Sequence, residues 1–275
     1  MIYEERPAPA GLEAAVARLW YLEMPRVRAF EKILPLPYVH LIFNLSDPYL
    51  VHDRAGVATQ VDDAFVSGIQ SEYLVIASPP TIRHVGAELR AGGLGLLTDA
   101  PGGSVAGAVV PAATVMAGAG DLARALRAAA GPDQALDLLT AAMAQRGAGW
   151  VADPVVEATL AAVHDDARLQ LGATAARAGV SHRTLVTRFR RAAGVTPREY
   201  AQIWRFHRFV TALQHQPLPP DWAALAPEAG YYDQPHVVRA FRRFSGWTPT
   251  EYLRRVEAFG PDAAGFVPLD EVPGP

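Results

Sequence analysis

A repeat of 52 residues in the last third of the chain constrains the fold more than any other feature. Ser181 aligns with Asp233, Leu185 with Val237, and Phe189-Arg190-Arg191 with Phe241-Arg242-Arg243. Gly194 aligns with Gly246, Thr196-Pro197 with Thr248-Pro249, and Glu199-Tyr200 with Glu251-Tyr252. Two generic amphipathic helices would not reproduce this Gly-x-Thr-Pro-x-Glu-Tyr punctuation. In the first unit the pattern predicts a short helix over Thr174–Ala178, a left-handed turn at Gly179 and a side-chain cap from Ser181. In the helix that follows, Leu185 and Phe189 lie at i and i+4 and face a core. Arg183, Val186, Thr187 and Arg190 fall on the opposite side, and Gly194 ends the helix. The second unit repeats the plan with a helix over Asp221–Ala229, a turn at Gly230 and a cap at Asp233. Val237, Phe241 and Phe244 face inward there, and Gln234, Val238, Arg239 and Arg242 face outward. Pro227 is a misfit, since proline inside a helix removes a hydrogen bond and kinks it. A short helix, a glycine turn and a second helix with a basic outer face is helix-turn-helix logic.

The Thr-Pro-x-Glu strings predict capping boxes, with proline at the first helical position. A helix starting at Pro197 and running to about residue 215 has a buried stripe of Ile203, Phe206, Val210 and Leu213. At about 1.5 Å per residue it spans roughly 27 Å. Such a rod would hold two recognition helices near one DNA turn apart, about 34 Å.

Charge agrees with this division. Residues 168–256 carry 14 arginines, no lysine and 5 acids, a net of +9, and residues 1–150 carry 11 basic and 15 acidic groups, a net of −4. A basic back half behind a weakly acidic front half suggests a sensor joined to a polyanion binder. The chain has no cysteine, which excludes disulfides, thiolate metal sites and cysteine nucleophiles. The start, Met1-Ile2-Tyr3-Glu4-Glu5, has no basic region followed by an apolar run, and no uncharged stretch is long enough to span a bilayer. A cytoplasmic protein is expected.

In the front half, residues 12–20 read as a short amphipathic helix with Leu12, Val16, Leu19 and Trp20 on one side. Strand-like runs follow at Val39–Leu45, Ala64–Ser67, Tyr73–Ala77 and Ile82–Leu89, separated by turn residues such as Asp47-Pro48 and Pro79-Pro80. Helical patterning resumes at Asp121–Ala130 and Asp133–Arg146, and Gly147-Ala148-Gly149 is the best linker. The fold class expected is α+β, a mainly antiparallel β domain with helices followed by an all-α domain with two helix-turn-helix units. The domains are placed at 1–147, for sensing or dimerisation, and 151–258, for DNA binding. A Pro-, Gly- and Asp-rich tail over 259–275 is expected to be disordered.

Residues 153–257 resemble the AraC/XylS family of transcription regulators. The most specific segment runs from Ala229-Gly-Tyr-Tyr-Asp-Gln-Pro-His to Gly246-Trp-Thr-Pro-Thr-Glu-Tyr252. The front half is similar to a poorly characterised N-terminal domain of some of these regulators, on Pro7–Leu12, Leu19-Trp20, Leu34-Pro35, Gly68 and Ala91-Gly92-Gly93. The resemblance implies a cupin-like barrel that binds an effector and dimerises, although the close His-x-His pair of metal-binding cupins is missing. It also implies double-stranded promoter DNA and RNA polymerase as partners. Many members carry Arg where Thr187 stands. Here the arginine is one place later, at Arg188, and helical geometry turns it away from bases.

The candidate DNA contacts are therefore Arg183, Thr184, Val186, Thr187 and Arg190 in the first unit, and Gln234, His236, Val238, Arg239, Arg242 and Arg243 in the second. Arg239 is the base reader. Arg190, Arg191, Arg242 and Arg243 are phosphate contacts or ion-pair partners. An effector pocket is expected among the aromatics Trp20, Tyr38, Phe43, Phe65 and Tyr73. Apolar stripes at Leu122, Leu126, Leu136, Leu139 and Met143 serve either a homodimer interface or packing within the domain. No spacing of His, Asp, Glu or Ser supports a metal site, a cofactor or catalysis. The alternatives to an effector-responsive regulator are an enzyme tethered to DNA and a dimerisation module that senses nothing.

Overall fold

The computed structural model describes residues 1–165, 170–214, 225–227, 229–259 and 265–272. Among the described residues, eleven strands form two antiparallel sheets. The first has six strands in the order β1 (Ile2–Pro7), β2 (Val16–Pro25), β9 (Thr81–Leu89), β4 (Val39–Asn44), β7 (Ala64–Ser67) and β10 (Val109–Pro111). The second has five, in the order β11 (Phe266–Leu269), β3 (Phe30–Ile33), β8 (Leu74–Ala77), β5 (Tyr49–His52) and β6 (Ala58–Val61). The helices are α1 (Ala119–Arg127), α2 (Pro132–Arg146), α3 (Pro154–Asp165), α4 (Leu171–Arg177), α5 (His182–Ala193), α6 (Pro197–Gln214), α7 (Gln234–Ser245) and α8 (Pro249–Phe259). No described helix is long and apolar enough to cross a membrane.

Alternation of side chains along each strand gives the large sheet two different faces. Leu19 and Tyr21 of β2, Val85, Ala87 and Leu89 of β9, and Val39, Leu41 and Phe43 of β4 share one face and are fully buried. Leu126, Leu136, Leu139 and Met143 belong to the same continuous core, so the stripes of α1 and α2 are consumed within the chain. The other face turns toward the small sheet. There Phe65 and Ile42 pack with Tyr49, Val51, Val61, Leu74 and Ile76.

Two sequence expectations fail. Residues 12–20 are not a helix. Leu12 to Val16 make one helical turn, with the Ala15 and Val16 amides donating to the Leu12 carbonyl, and β2 then begins. Leu19 and Trp20 point to opposite faces, and β2 gains hydrogen-bonding neighbours on both edges, β1 and β9, which outweighs the local helical spacing. The tail over 259–275 is not structureless throughout. Phe266–Leu269 pairs antiparallel with β3, burying Val267 and Leu269. Four consecutive apolar-rich residues outweigh the composition around them, and Pro268 is tolerated because β11 lies at the sheet edge.

Candidate nucleic-acid interface

The first unit is built as its punctuation requires. Gly179 lies at φ +66 after α4, and the Ser181 hydroxyl accepts from the Thr184 amide at 3.1 Å. Leu185 and Phe189 have no exposure, and Gly194, at φ +82, ends α5. In the second unit Asp233 accepts from the His236 amide at 2.8 Å. Val237, Phe241 and Phe244 are buried, and Gly246, at φ +76, ends α7. Most of the helix expected over Asp221–Ala229 lies outside the described residues.

Six of the eleven expected DNA contacts are exposed with no side-chain hydrogen bond among the described residues: Arg183, Thr187 and Arg190 on α5, and Gln234, Arg239 and Arg242 on α7. None of those four arginines has an ion pair among the described residues. The other five are engaged. The Thr184 hydroxyl is 2.8 Å from that of Ser181, within the cap. Val186 is half-buried against Val155, Ala175 and Leu185. Val238 is half-buried. His236 meets the Tyr231 ring edge-on, with centroids 5.1 Å apart, and its pKa is lowered by partial burial and by Arg205 and Arg239. Arg243 donates to Gln202 of α6 at 2.6 Å and lies over the Phe244 ring. Arg188 turns inward, donating from Nε to Asp153 at 2.8 Å with Nη2 2.8 Å from the other carboxylate oxygen.

Sequence reasoning missed Tyr232, which is 83% exposed immediately before the Asp233 cap of α7. It belongs to no periodic stripe, and its only signal was its place in the turn.

The structure does not bring the five aromatics of the expected effector pocket together. Phe43 is in the core on the helix-covered face of the large sheet. Trp20 and Phe65 lie on the other face, in one row with Gly86 and Ile42 across β2, β9, β4 and β7. Gly86 makes that row possible, because a Cβ there would stand 2.8 Å from the Trp20 ring. Tyr38 meets His40 and His207 edge-on, and burial pulls both imidazoles down to about 4. Tyr73 lies against Lys32. The split follows from strand alternation, which sends successive side chains of a strand to opposite faces.

Comparison with known proteins agrees with this architecture. A helix-turn-helix domain family matches residues 174–255. Two Streptomyces proteins described as putative AraC-like transcription regulators, from S. antibioticus and S. lividans, are 34% and 36% identical over 111 residues. Residues 174–255 of this chain are a helix-turn-helix domain, and the chain is similar to these AraC-like proteins over the matched stretch. The match covers 38% of this chain and 36% of each relative, so the chain spans about a third of the length of these curated proteins. Residues 4–111 match a domain of unknown function, DUF6597. A crystal structure of ToxT from Vibrio cholerae has the same fold, with a TM-score of 0.51 at 9% identity, covering 92% of this chain and 98% of that one.

Proposed function

We propose that this chain is an AraC-like DNA-binding transcription regulator that reads duplex DNA with α5 and α7. The observation that carries the reading is the duplication itself. Two helices with equivalent side-chain caps and the same buried aromatic each present exposed arginines without ion partners among the described residues. The geometry suits bidentate contacts to guanine and single contacts to phosphate. The test is binding of the full chain to duplexes selected from a random library, at several salt concentrations. Counterion release from six phosphate contacts would give a log–log slope near about −5. Failure to select any duplex, or an affinity independent of salt, would overturn the reading.

A small-molecule effector bound between the two sheets is the finer form of the reading. What supports it is a difference in burial between the faces of the large sheet. Side chains under the helices are fully buried, whereas between the sheets Trp20, Ile42, Leu74 and Ile76 are half-buried around a smaller buried cluster of Tyr49, Val51, Val61 and Phe65. Screening of small apolar acids and alcohols by thermal shift tests this, with Trp20→Ala abolishing any shift. Homodimerisation gains no support from α1 and α2, whose apolar stripes pack inside the chain.

A further inference from the structure

Lys32, the only lysine in the chain, is 1% exposed on β3. Its ammonium lies over two ring faces, 3.7 Å from the centroid of Tyr73 and 3.8 Å from that of Trp247. It donates to the Ser245 carbonyl at 2.8 Å. Arg54, beyond β5, donates to the Arg243 carbonyl at 3.0 Å. Both acceptors are in the last turn of α7, whose final carbonyls have no partner within the helix and carry its negative dipole end. The β-rich half thus supplies the C-terminal cap of the second recognition helix. Gly246 completes the fit, since a Cβ there would come 3.0 Å from Tyr73 and 3.6 Å from the Lys32 nitrogen. The same strand is tied to the chain beyond α8, because Lys32 pairs with Val267 of β11. None of these contacts touches Gln234, Arg239 or Arg242 on the outer face of α7.

We propose that Lys32 is a positioning residue that fixes the second recognition helix on the small sheet in the arrangement that binds DNA. The proposal rests on the reading of α7 as a DNA reader. It favours positioning over occlusion because the contacts hold the end of the helix and leave its outer face open. β3 also borders the space between the sheets, with Glu31 facing inward where Lys32 faces out, so a displacement of this strand would reach α7 directly. The charged groups near the ammonium are Arg54, which pairs with Glu72 at 3.2 Å, and Arg255 of α8, which stacks on Trp247. Burial and these two guanidinium groups push the amine down to about 7.

The single lysine makes a direct test possible. In the full chain carrying 13C-lysine, the one lysine resonance should titrate near pH 7, and an ordinary titration near about 10.4 would overturn the buried capping contact. In Lys32→Met, which keeps the chain length and removes the donor, amide exchange in the last turn of α7 should accelerate. Affinity for a duplex selected by the wild-type protein should fall about tenfold, the value of one buried charge-assisted hydrogen bond. Unchanged exchange and unchanged affinity would overturn the proposal. If the wild-type protein selected no duplex, the DNA reading would fail, and lysine titration and amide exchange would still decide the capping contact. If Lys32→Met did not fold, the wild-type titration would decide it.

Discussion

In the second helix-turn-helix unit the Glu251 carboxylate turns back on its own cap, accepting from the Thr248 amide at 2.6 Å and from its hydroxyl at 2.8 Å. In the first unit the equivalent Glu199 carboxylate leaves the box and accepts from the Ser71 hydroxyl of the β-rich half at 2.6 Å. The Thr196 hydroxyl still accepts from the Glu199 amide, so half the box survives. The outer ends of the recognition helices differ in the same way. The C-terminus of α5 meets the backbone around Gly102 so closely that a Cβ on Gly102 would stand 2.5 Å from the Gly194 nitrogen. The C-terminus of α7 is held instead by Lys32 and Arg54. One sequence pattern therefore builds two equal helices, and different partners in the front half dock them. A repeat specifies the local structure of its units and leaves their attachment to residues outside it.

The largest expected effect tests the equality of the units. Phe189→Ala and Phe241→Ala should each cost about 3–5 kcal/mol in urea unfolding, because both rings are fully buried and leave a cavity. A much smaller loss at one site would show that one core is dispensable. Next comes base reading, which should be unequal. Arg239→Ala should cost about 1–3 kcal/mol on the preferred duplex and relax preference at one base pair. Thr187→Ala, at the position equivalent to Arg239 in the first unit, should cost less than Arg239→Ala in the same competition assay.

Smaller effects sharpen the difference in anchoring. Arg188→Ala should lower stability by about 1 kcal/mol or less, since both members of its pair with Asp153 are partly in water. A double-mutant cycle with Asp153→Ala isolates that pair, which has no counterpart in the second unit. The smallest expected effect concerns acid. The Thr248 amide and hydroxyl hold the Glu251 carboxyl below its ordinary range. Its stabilisation is therefore present above the unfolded carboxylate value of about 4.3 and is lost as pH falls through the lower folded value. Amide exchange at the start of α8 should rise in that window in the wild type and stay flat in Glu251→Gln.

The helical half was legible in the sequence because its instructions are local. Ser181, Gly194, Asp233 and Gly246 each specify a cap or a stop within four residues of themselves. Strands with long or strongly apolar runs, such as β4, β7 and β9, were legible as well. The strands β1, β3, β5 and β6 were not, because their composition is mixed and, for β3, both hydrogen-bonding partners, β8 and β11, are distant in sequence. Phe30-Glu31-Lys32-Ile33 reads as a polar connection, yet β3 is paired on both edges and both charges are buried. Of the candidate site, the outward positions of α5 and α7 followed from periodicity. The engagement of Arg243 with Gln202 and of His236 with Tyr231 depends on neighbouring elements and left no local trace. The aromatics of the front half were identifiable as buried, but their division between two faces required the strand register.

The most direct test of the account is a footprint of the full chain on a selected duplex, repeated with Arg183→Ala and Arg239→Ala. Two protected segments about one helical turn apart are expected, with each variant losing base preference in a different segment. A single protected segment, or variants that weaken all sequences equally while remaining folded by circular dichroism, would contradict it.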